Sequence, residues 1–500
     1  MNLSSSVKTI KNGGTIFISD IPLFSEDDFF QTILDATDHG WRVASLFGTP
    51  QGDDVTLWCV LGYKVDGVIA VIRTSVRDRF PSLAVLCPQV QLFEREIREE
   101  CGIEPEGHPW LKPVRFSHGS GGVASPIGVT DYYRVDGDGI HEVAVGPVHA
   151  GVIEPGHFRF QCHGETVYHL EISLGYQHRG IEAALTNGPH SRDIFRMETV
   201  AGDTTIGHTQ AHCMIMEALT GRRVPDRGEA LRGISLELER LANHTGDLGA
   251  LAGDVGYLPT ASFCGRIRGD FLNLTALLCG NRFGRGLVRP GGTGFDLDNR
   301  LCDELRTRST AAGKDLIEAA ELLWHTPSVM ARFEKTGALP RSLADEIGLV
   351  GPAMRACGGS RDIRCDYPYG IYRTKQIPIA TATSGDVYAR ARVRYLEAQR
   401  SLDFIDELLE QLPGGTCMSG RVDTSPPAPD TLAVAMTEGW RGKICHTAIT
   451  GADGRLRKYK VVDPSFHNWF GLALALRGQQ ISDFPLCNKS FNLSYCGYDL

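Results

Sequence analysis

The chain carries fourteen cysteines yet no C-x-x-C pair; the closest two, Cys357 and Cys365, lie eight positions apart. Iron–sulfur clusters and structural zinc draw on closely spaced pairs, because one turn can then aim two sulfurs at one ion. The spacing argues against such a site and for buried, reduced thiols packed as small apolar groups. No stretch approaches the ~18 uninterrupted apolar residues of a membrane span. The opening MNLSSSVKTIKNGGTIFISD lacks the apolar core of a signal peptide, so a cytoplasmic location is expected. No G-x-G-x-x-G joins a strand to a helix, which argues against direct dinucleotide binding. Basic residues are dispersed under a net charge of −9, which argues against a nucleic-acid partner.

What is present reads as a globular chain of 500 residues, long enough for roughly three domains by a ~150-residue prior, or for two unequal ones. Residues 1–117 mix an amphipathic helix, Glu26 to His39, with strand-like runs at Asp54 to Tyr63 and Gly67 to Arg73. A second helix is expected over Val90 to Glu99. Residues 118–140 are rich in Gly and Ser and read as a linker. Beyond it, Phe158 to Cys162 and Thr166 to Ser173 read as a hairpin turning at Gly164, with a helix after Gly175. The stretch ISLELERLANHTGDLGAL sets Ile234, Leu238 and Leu241 on one helical face and Glu237, Arg240 and His244 on another. More amphipathic helix is expected at Arg341 to Gly348 and Arg392 to Leu412. In NRFGRGLVRPGG, Gly284, Gly286, Gly291 and Gly292 suit a tight positive-φ path with Arg285 and Arg289 projecting. The closing VVDPSFHNWFGLALALRGQQISDFPLCNKSFNLSYCGYDL is too apolar to hang free and should fold back into the body.

Two resemblances organise these segments. LFEREIREECGIEPEGHPWLKPVRF resembles the end of the 30-kilodalton subunit of respiratory complex I, carried by Glu94, Glu96, Gly102, Ile103, Gly107, His108 and Pro109. Residues 141–500 are similar to the large subunit of membrane-bound, complex I-like nickel–iron hydrogenases of the formate hydrogenlyase type, and to the 49-kilodalton subunit of complex I. The matching motifs are GPVHAGVIEPGHFRF, LGYQHRGIE, LELERLANHTGDLGAL, GNRFGRGLVRPGG, SGDVYARARVR and EGWRGKICH, in the family's order. The resemblance implies an α+β protein: a small N-terminal α/β, sandwich-like unit followed by a large, mostly helical bundle with short β-sheets.

A nickel–iron centre needs four soft thiolates, which the family supplies as two C-x-x-C pairs. Setting Glu198 and His208 on the family's first motif puts Ala201 and Thr204 where cysteines belong. Setting Asp483, Pro485 and Leu486 on the second puts Ser494 and Gly497 there, with Cys496 one position off. By this register all four ligands are vacated, and no metal is expected. The resemblance leaves a cavity that a quinone headgroup could enter, unless bulky side chains such as Phe491 and Tyr495 fill it. Around it, Glu154 and His157 lie in a segment whose family counterpart relays protons, here with Pro155 inserted. Asp203, His208 and His212 surround the first vacated pair; they could bind a hard divalent ion or hydrogen-bond within a core. Arg441 falls where the family poises an arginine over the metal, with Trp440 in place of proline.

The expected protein is thus an electron-transfer subunit, peripheral on the inner face of the cell membrane, binding no cofactor of its own. Its expected partners are an iron–sulfur small subunit, antiporter-like membrane subunits and, as one candidate donor, a formate dehydrogenase. The other expectation is a non-catalytic scaffold that couples partner electron transfer to ion pumping.

Overall fold

The computed structural model describes residues 7–117, 126–420 and 426–500. Part of the expected linker, 118–125, lies outside them. In the N-terminal unit, Ser25 caps the helix Glu26–Asp38 by accepting from the Asp28 N–H, and Phe29, Phe30 and Ile33 on its inner face are buried. The helix lies on a five-stranded sheet whose long strands are Val68–Val76, Asp54–Tyr63 and, at one edge, Arg42–Gln51. Leu57 through Leu61 are all buried, so both faces of the central strand are covered. The second helix runs over Gln91–Cys101 and ends on Gly102 at φ 75°.

The body is α+β, as expected. Its helices Asp226–Asp254, Leu258–Cys279, Asn299–Trp324 and Val387–Glu410 pack side by side. The hairpin His157–His163 and Thr166–Ser173 turns at Gly164, with φ 56°, and Ile140–Val145 adds a third strand. Gly284, Gly286, Gly291 and Gly292 all take positive φ. The helix expected after Gly175 is delayed to Ile181–Ala184. The far end of the sequence takes those backbone donors instead. The Asp499 carboxylate accepts from Gly175 N–H and Gln177 N–H at 2.7 and 2.8 Å, and the Leu500 carbonyl accepts from Arg179 and Gly180 N–H.

The sequence pattern did not announce a four-stranded sheet in the middle of the molecule, ordered Leu456–Val462, Gly442–Thr450, Thr431–Gly439, Gly14–Phe17. Every residue of its two inner strands is buried. A strand covered on both faces loses the polar/apolar alternation by which strands are recognised. Its fourth strand comes from the start of the chain, with Thr431 paired to Phe17 and Val434 to Gly14.

Buried ion pairs tie bundle to sheet. Arg355 donates to Glu397 of the helix Val387–Glu410 and to Glu438 of the sheet, each at 2.7 Å, and its side chain is fully buried. His244 Nε2 donates to the other Glu397 oxygen at 2.8 Å, while its Nδ1 is buried without a hydrogen-bond partner among the described residues. Among the described residues, no helix is long and apolar enough to cross a membrane.

Candidate functional site

Trp440 and Arg441 form the two-residue turn between Thr431–Gly439 and Gly442–Thr450. The turn points Arg441 at the segment that precedes the helix Thr205–Thr220. Its guanidinium stacks over the Trp440 ring at 3.8 Å and grips Asp203 at both oxygens, at 2.6 and 2.8 Å. It also donates to Thr204 Oγ1 at 3.3 Å and to the Asn492 carbonyl. Burial alone would raise the Asp203 carboxyl; the Arg441 charge overrides it and holds the group below the usual range.

The C-terminal segment arrives from the other side. Ser494 caps the short helix Tyr495–Asp499 by accepting from Gly497 N–H at 2.9 Å. Glu154 accepts from the backbone of Tyr495 and Cys496 at 3.3 and 3.4 Å. The Cys496 thiol is held between Ser494, Glu154 and the Gly202 N–H; burial, then the Glu154 charge, push it up to about 11. The two segments that the register pairs thus meet at Arg441, and the donors there are Thr204 and Ser494 hydroxyls and one thiol. Gly497 packs so closely that a Cβ on it would stand 2.8 Å from the Asp463 carboxyl and 2.9 Å from Ser494 Oγ. Ala201 is fully buried and offers no donor. This donor set does not fit a tetrathiolate nickel–iron centre.

A buried wire leaves the same place. His208, one turn into the helix Thr205–Thr220, bonds Asp463 through Nε2 at 3.0 Å and His446 Nε2 through Nδ1 at 3.1 Å. His446 Nδ1 meets the Tyr459 hydroxyl at 3.0 Å, and that hydroxyl meets His212 Nδ1 at 3.0 Å. With Asp463 ionised, the connectivity assigns a proton to His208 Nε2 and to His446 Nε2, and the Tyr459 hydroxyl donates to His446 Nδ1. Burial pushes His446 well below the ordinary range and His212 down to about 4, so both are neutral at neutral pH. His208 and His212 share a helical face, but Asp203 is taken by Arg441, and the three do not converge on an ion. The carboxylates that do crowd together are Glu96, Glu100 and Glu182, and Lys458 and Lys460 answer them.

His157 stands apart from these groups. Its Nδ1 faces the Gly146 carbonyl at 3.1 Å and Arg159 donates to its Nε2 at 3.3 Å. Four participants lay outside the sequence reading. Asp463 presents itself as an ordinary helix cap, accepting from Ser465 N–H at 2.8 Å; its second oxygen serves His208. His446 and Tyr459 sit on strands of the unannounced sheet. Glu239 accepts from the Ile206 and Gly207 N–H groups at 2.6 and 3.2 Å, anchoring the N-terminus of the helix that carries His208. Its i,i+4 spacing to Asn243, which donates to the Asp203 carbonyl at 2.9 Å, was the available signal.

The cavity lined by Asp203, Thr205 and Glu239 holds about 10 Å³. That is room for about one water, far below the roughly 300–1,000 Å³ of ligand pockets. Phe491 and Tyr495 are both buried, and neither lines this cavity. Burial raises the Glu239 carboxyl to about 8 despite its two backbone bonds. The folded state therefore binds this proton more tightly than the unfolded state, and stability from Glu239 falls as pH rises from about 4.5 to 8. Glu239→Gln keeps an acceptor oxygen without the titration. We expect its melting temperature to exceed the parent's at pH 8 and to converge with it at pH 5; equal melting curves at pH 8 would refute the raised carboxyl.

The description "Respiratory-chain NADH dehydrogenase, 49 Kd subunit" matches residues 254–432, and "Respiratory-chain NADH dehydrogenase, 30 Kd subunit" matches residues 31–124. The carbon monoxide-induced hydrogenase of Rhodospirillum rubrum is 32% identical over 353 residues, covering 70% of this chain and 97% of that protein. The chain belongs to the complex I-like hydrogenase and complex I 49-kilodalton subunit family. Formate hydrogenlyase subunit 5 of Escherichia coli (strain K12) is 30% identical over 439 residues, 84% of this chain and 76% of the relative. NADH-quinone oxidoreductase subunit 4 of Thermus thermophilus is 28% identical over 363 residues, 68% and 89% of the two chains. This family therefore includes both hydrogenase and quinone-oxidoreductase subunits, and this chain joins a 30-kilodalton-like segment to a 49-kilodalton-like one.

Proposed function

We propose that this chain is a redox-coupling subunit of a membrane-associated, complex I-like oxidoreductase, and that it works without a nickel–iron centre. It is peripheral on the cytoplasmic face, beside an iron–sulfur small subunit and antiporter-like membrane subunits; a formate dehydrogenase is one candidate donor. The observation that carries this reading is the close packing of Gly497 on Asp463, which leaves no room for a cysteine side chain where one ligand would stand. The Arg441–Asp203 pair occupies the centre instead, and the cavity beside it is water-sized. In this reading the chain transmits a partner's electron transfer to the membrane subunits, and the His208–His446–Tyr459 wire moves a proton in step with it.

A second reading makes the same place an acceptor site for a quinone headgroup. It is favoured by the wire, which ends at Asp463 against Gly497 and could deliver a proton to a reduced headgroup. It requires Arg441 and Asp203 to part. The two readings are told apart by His208→Gln in the purified complex. Coupling predicts that electron transfer to a soluble dye and to quinone both persist while proton transport falls at least tenfold. The acceptor reading predicts that quinone reduction falls and dye reduction persists. About one nickel per chain by elemental analysis would sink both.

A further inference from the structure

An apolar cavity lies away from this centre, where the N-terminal unit meets the body. It holds about 360 Å³, within the range of small-molecule sites. Leu92 and Trp110 wall one side; Leu174, Ile347, Trp469 and Leu474 wall the other. Its charged lining groups are few. His169 turns toward Trp110 and Tyr133, and its Nε2 is buried without a hydrogen-bond partner among the described residues. Arg95 donates to the carbonyls of Lys112 and Pro113 at 2.8 and 2.9 Å, and Arg477 is exposed at the rim. Neither guanidinium forms an ion pair among the described residues. Glu171 is neutralised by Lys112 at 2.5 Å, which leaves Glu346 as one lining carboxylate against two arginines.

An apolar chamber with a net positive rim and one unsatisfied imidazole nitrogen is complementary to a molecule with a long apolar body and a single anionic end. We infer that this chamber binds an acyl chain that ends in an anionic oxygen group, the chain lying between Trp110 and Trp469 and the anion facing Arg477, Arg95 and His169. The acyl chain could belong to a free fatty acid or to an anionic membrane lipid; the chemistry recognised is the same. This inference does not rest on the redox reading above: of these residues only Trp469 touches the segment at the Arg441 centre, donating to the Ser494 carbonyl at 3.4 Å.

The test uses tryptophan quenching in the full-length chain, because Trp110 and Trp469 line the chamber. Titration with 11-bromoundecanoate should give saturable quenching, and its methyl ester should bind at least tenfold more weakly. Trp469→Phe should remove much of the quenching. Arg477→Gln, at an exposed position, should weaken binding about threefold to tenfold, consistent with a charge-assisted contact. Leu474→Trp should fill the chamber and abolish saturable quenching; a melting temperature within a few degrees of the parent's shows that it folds, and Arg477→Gln carries the test if it does not. Bromo-acyl phosphatidylglycerol vesicles that quench where phosphatidylcholine vesicles do not would identify a lipid as the source; quenching by the free acid alone would identify a fatty acid. Absence of saturable quenching by either, or equal binding of acid and ester with no effect of Arg477→Gln, would overturn the proposal.

Discussion

Replacing Asp203 by leucine is expected to destabilise the protein by about 3–5 kcal/mol, and adding Arg441→Met to that variant should restore a large part of the loss. Removing one partner of a buried pair leaves an uncompensated charge, whereas removing both leaves only altered packing. Arg441 is the partner that cannot escape: its side chain is 5% exposed, against 33% for Asp203. The reverse substitution, Arg441→Met alone, should therefore be milder, about 1–3 kcal/mol, because the stranded carboxylate can reach water. Urea unfolding of the four proteins closes the cycle. A double variant as unstable as the sum of the singles would mean that the pair contributes no coupling, and the closed centre would lose its basis.

Arg355→Met should be at least as damaging, about 3–5 kcal/mol, for a related reason with a different signature in pH. The guanidinium serves Glu397 and Glu438 together, and no part of it reaches solvent. Glu397 is held well below its ordinary range against the penalty of burial, by Arg355 first and then by His244 and Arg240. Glu438 is already raised to about 7, by burial first and then by the Asp362 charge, in spite of Arg355. Without the arginine both carboxyls gain reason to protonate, so the variant's deficit should shrink as pH is lowered from 8 to 6. Arg355→Lys keeps the charge but not the fork, and should fall between parent and Met variant. A deficit that is constant from pH 6 to 8 would show that packing loss, not stranded charge, is the cause.

The amphipathic helices were legible within a few positions, because each has one wet side. Asp54–Tyr63 is covered on both faces, yet it and Thr166–Ser173 were read to the residue from β-branched and aromatic content between turn residues. TLAVAMTEG and GKICHTAIT were not, since a strand with no wet side carries no alternation. The centre divides along the same line. Asp203 and Arg441 were legible because the segments carrying them resemble known motifs, and their pairing is a matter of two charges with nowhere else to go. Asp463, His446 and Tyr459 were hidden: the first as a helix cap, the others on the unseen sheet, more than 200 positions from His208. His157 bonds the Gly146 carbonyl and Arg159, and Glu154 bonds the backbone of Tyr495 and Cys496, so the two share no hydrogen-bond partner among these contacts.

The pairing of Gly14–Phe17 with Thr431–Val434 has a consequence for how the protein is made. Its edge strand leaves the ribosome about 400 residues ahead of the partner that will cover it. At the roughly 5–20 residues per second of synthesis, that is about 20–80 s of waiting. Contacts of such sequence separation form late and slowly. A nascent chain of this protein therefore displays an unmated strand while the residues between Phe17 and Thr431 are made, which is the form in which strand edges recruit wrong partners. The sheet that holds His446 in place is complete only once Thr431–Val434 has been made.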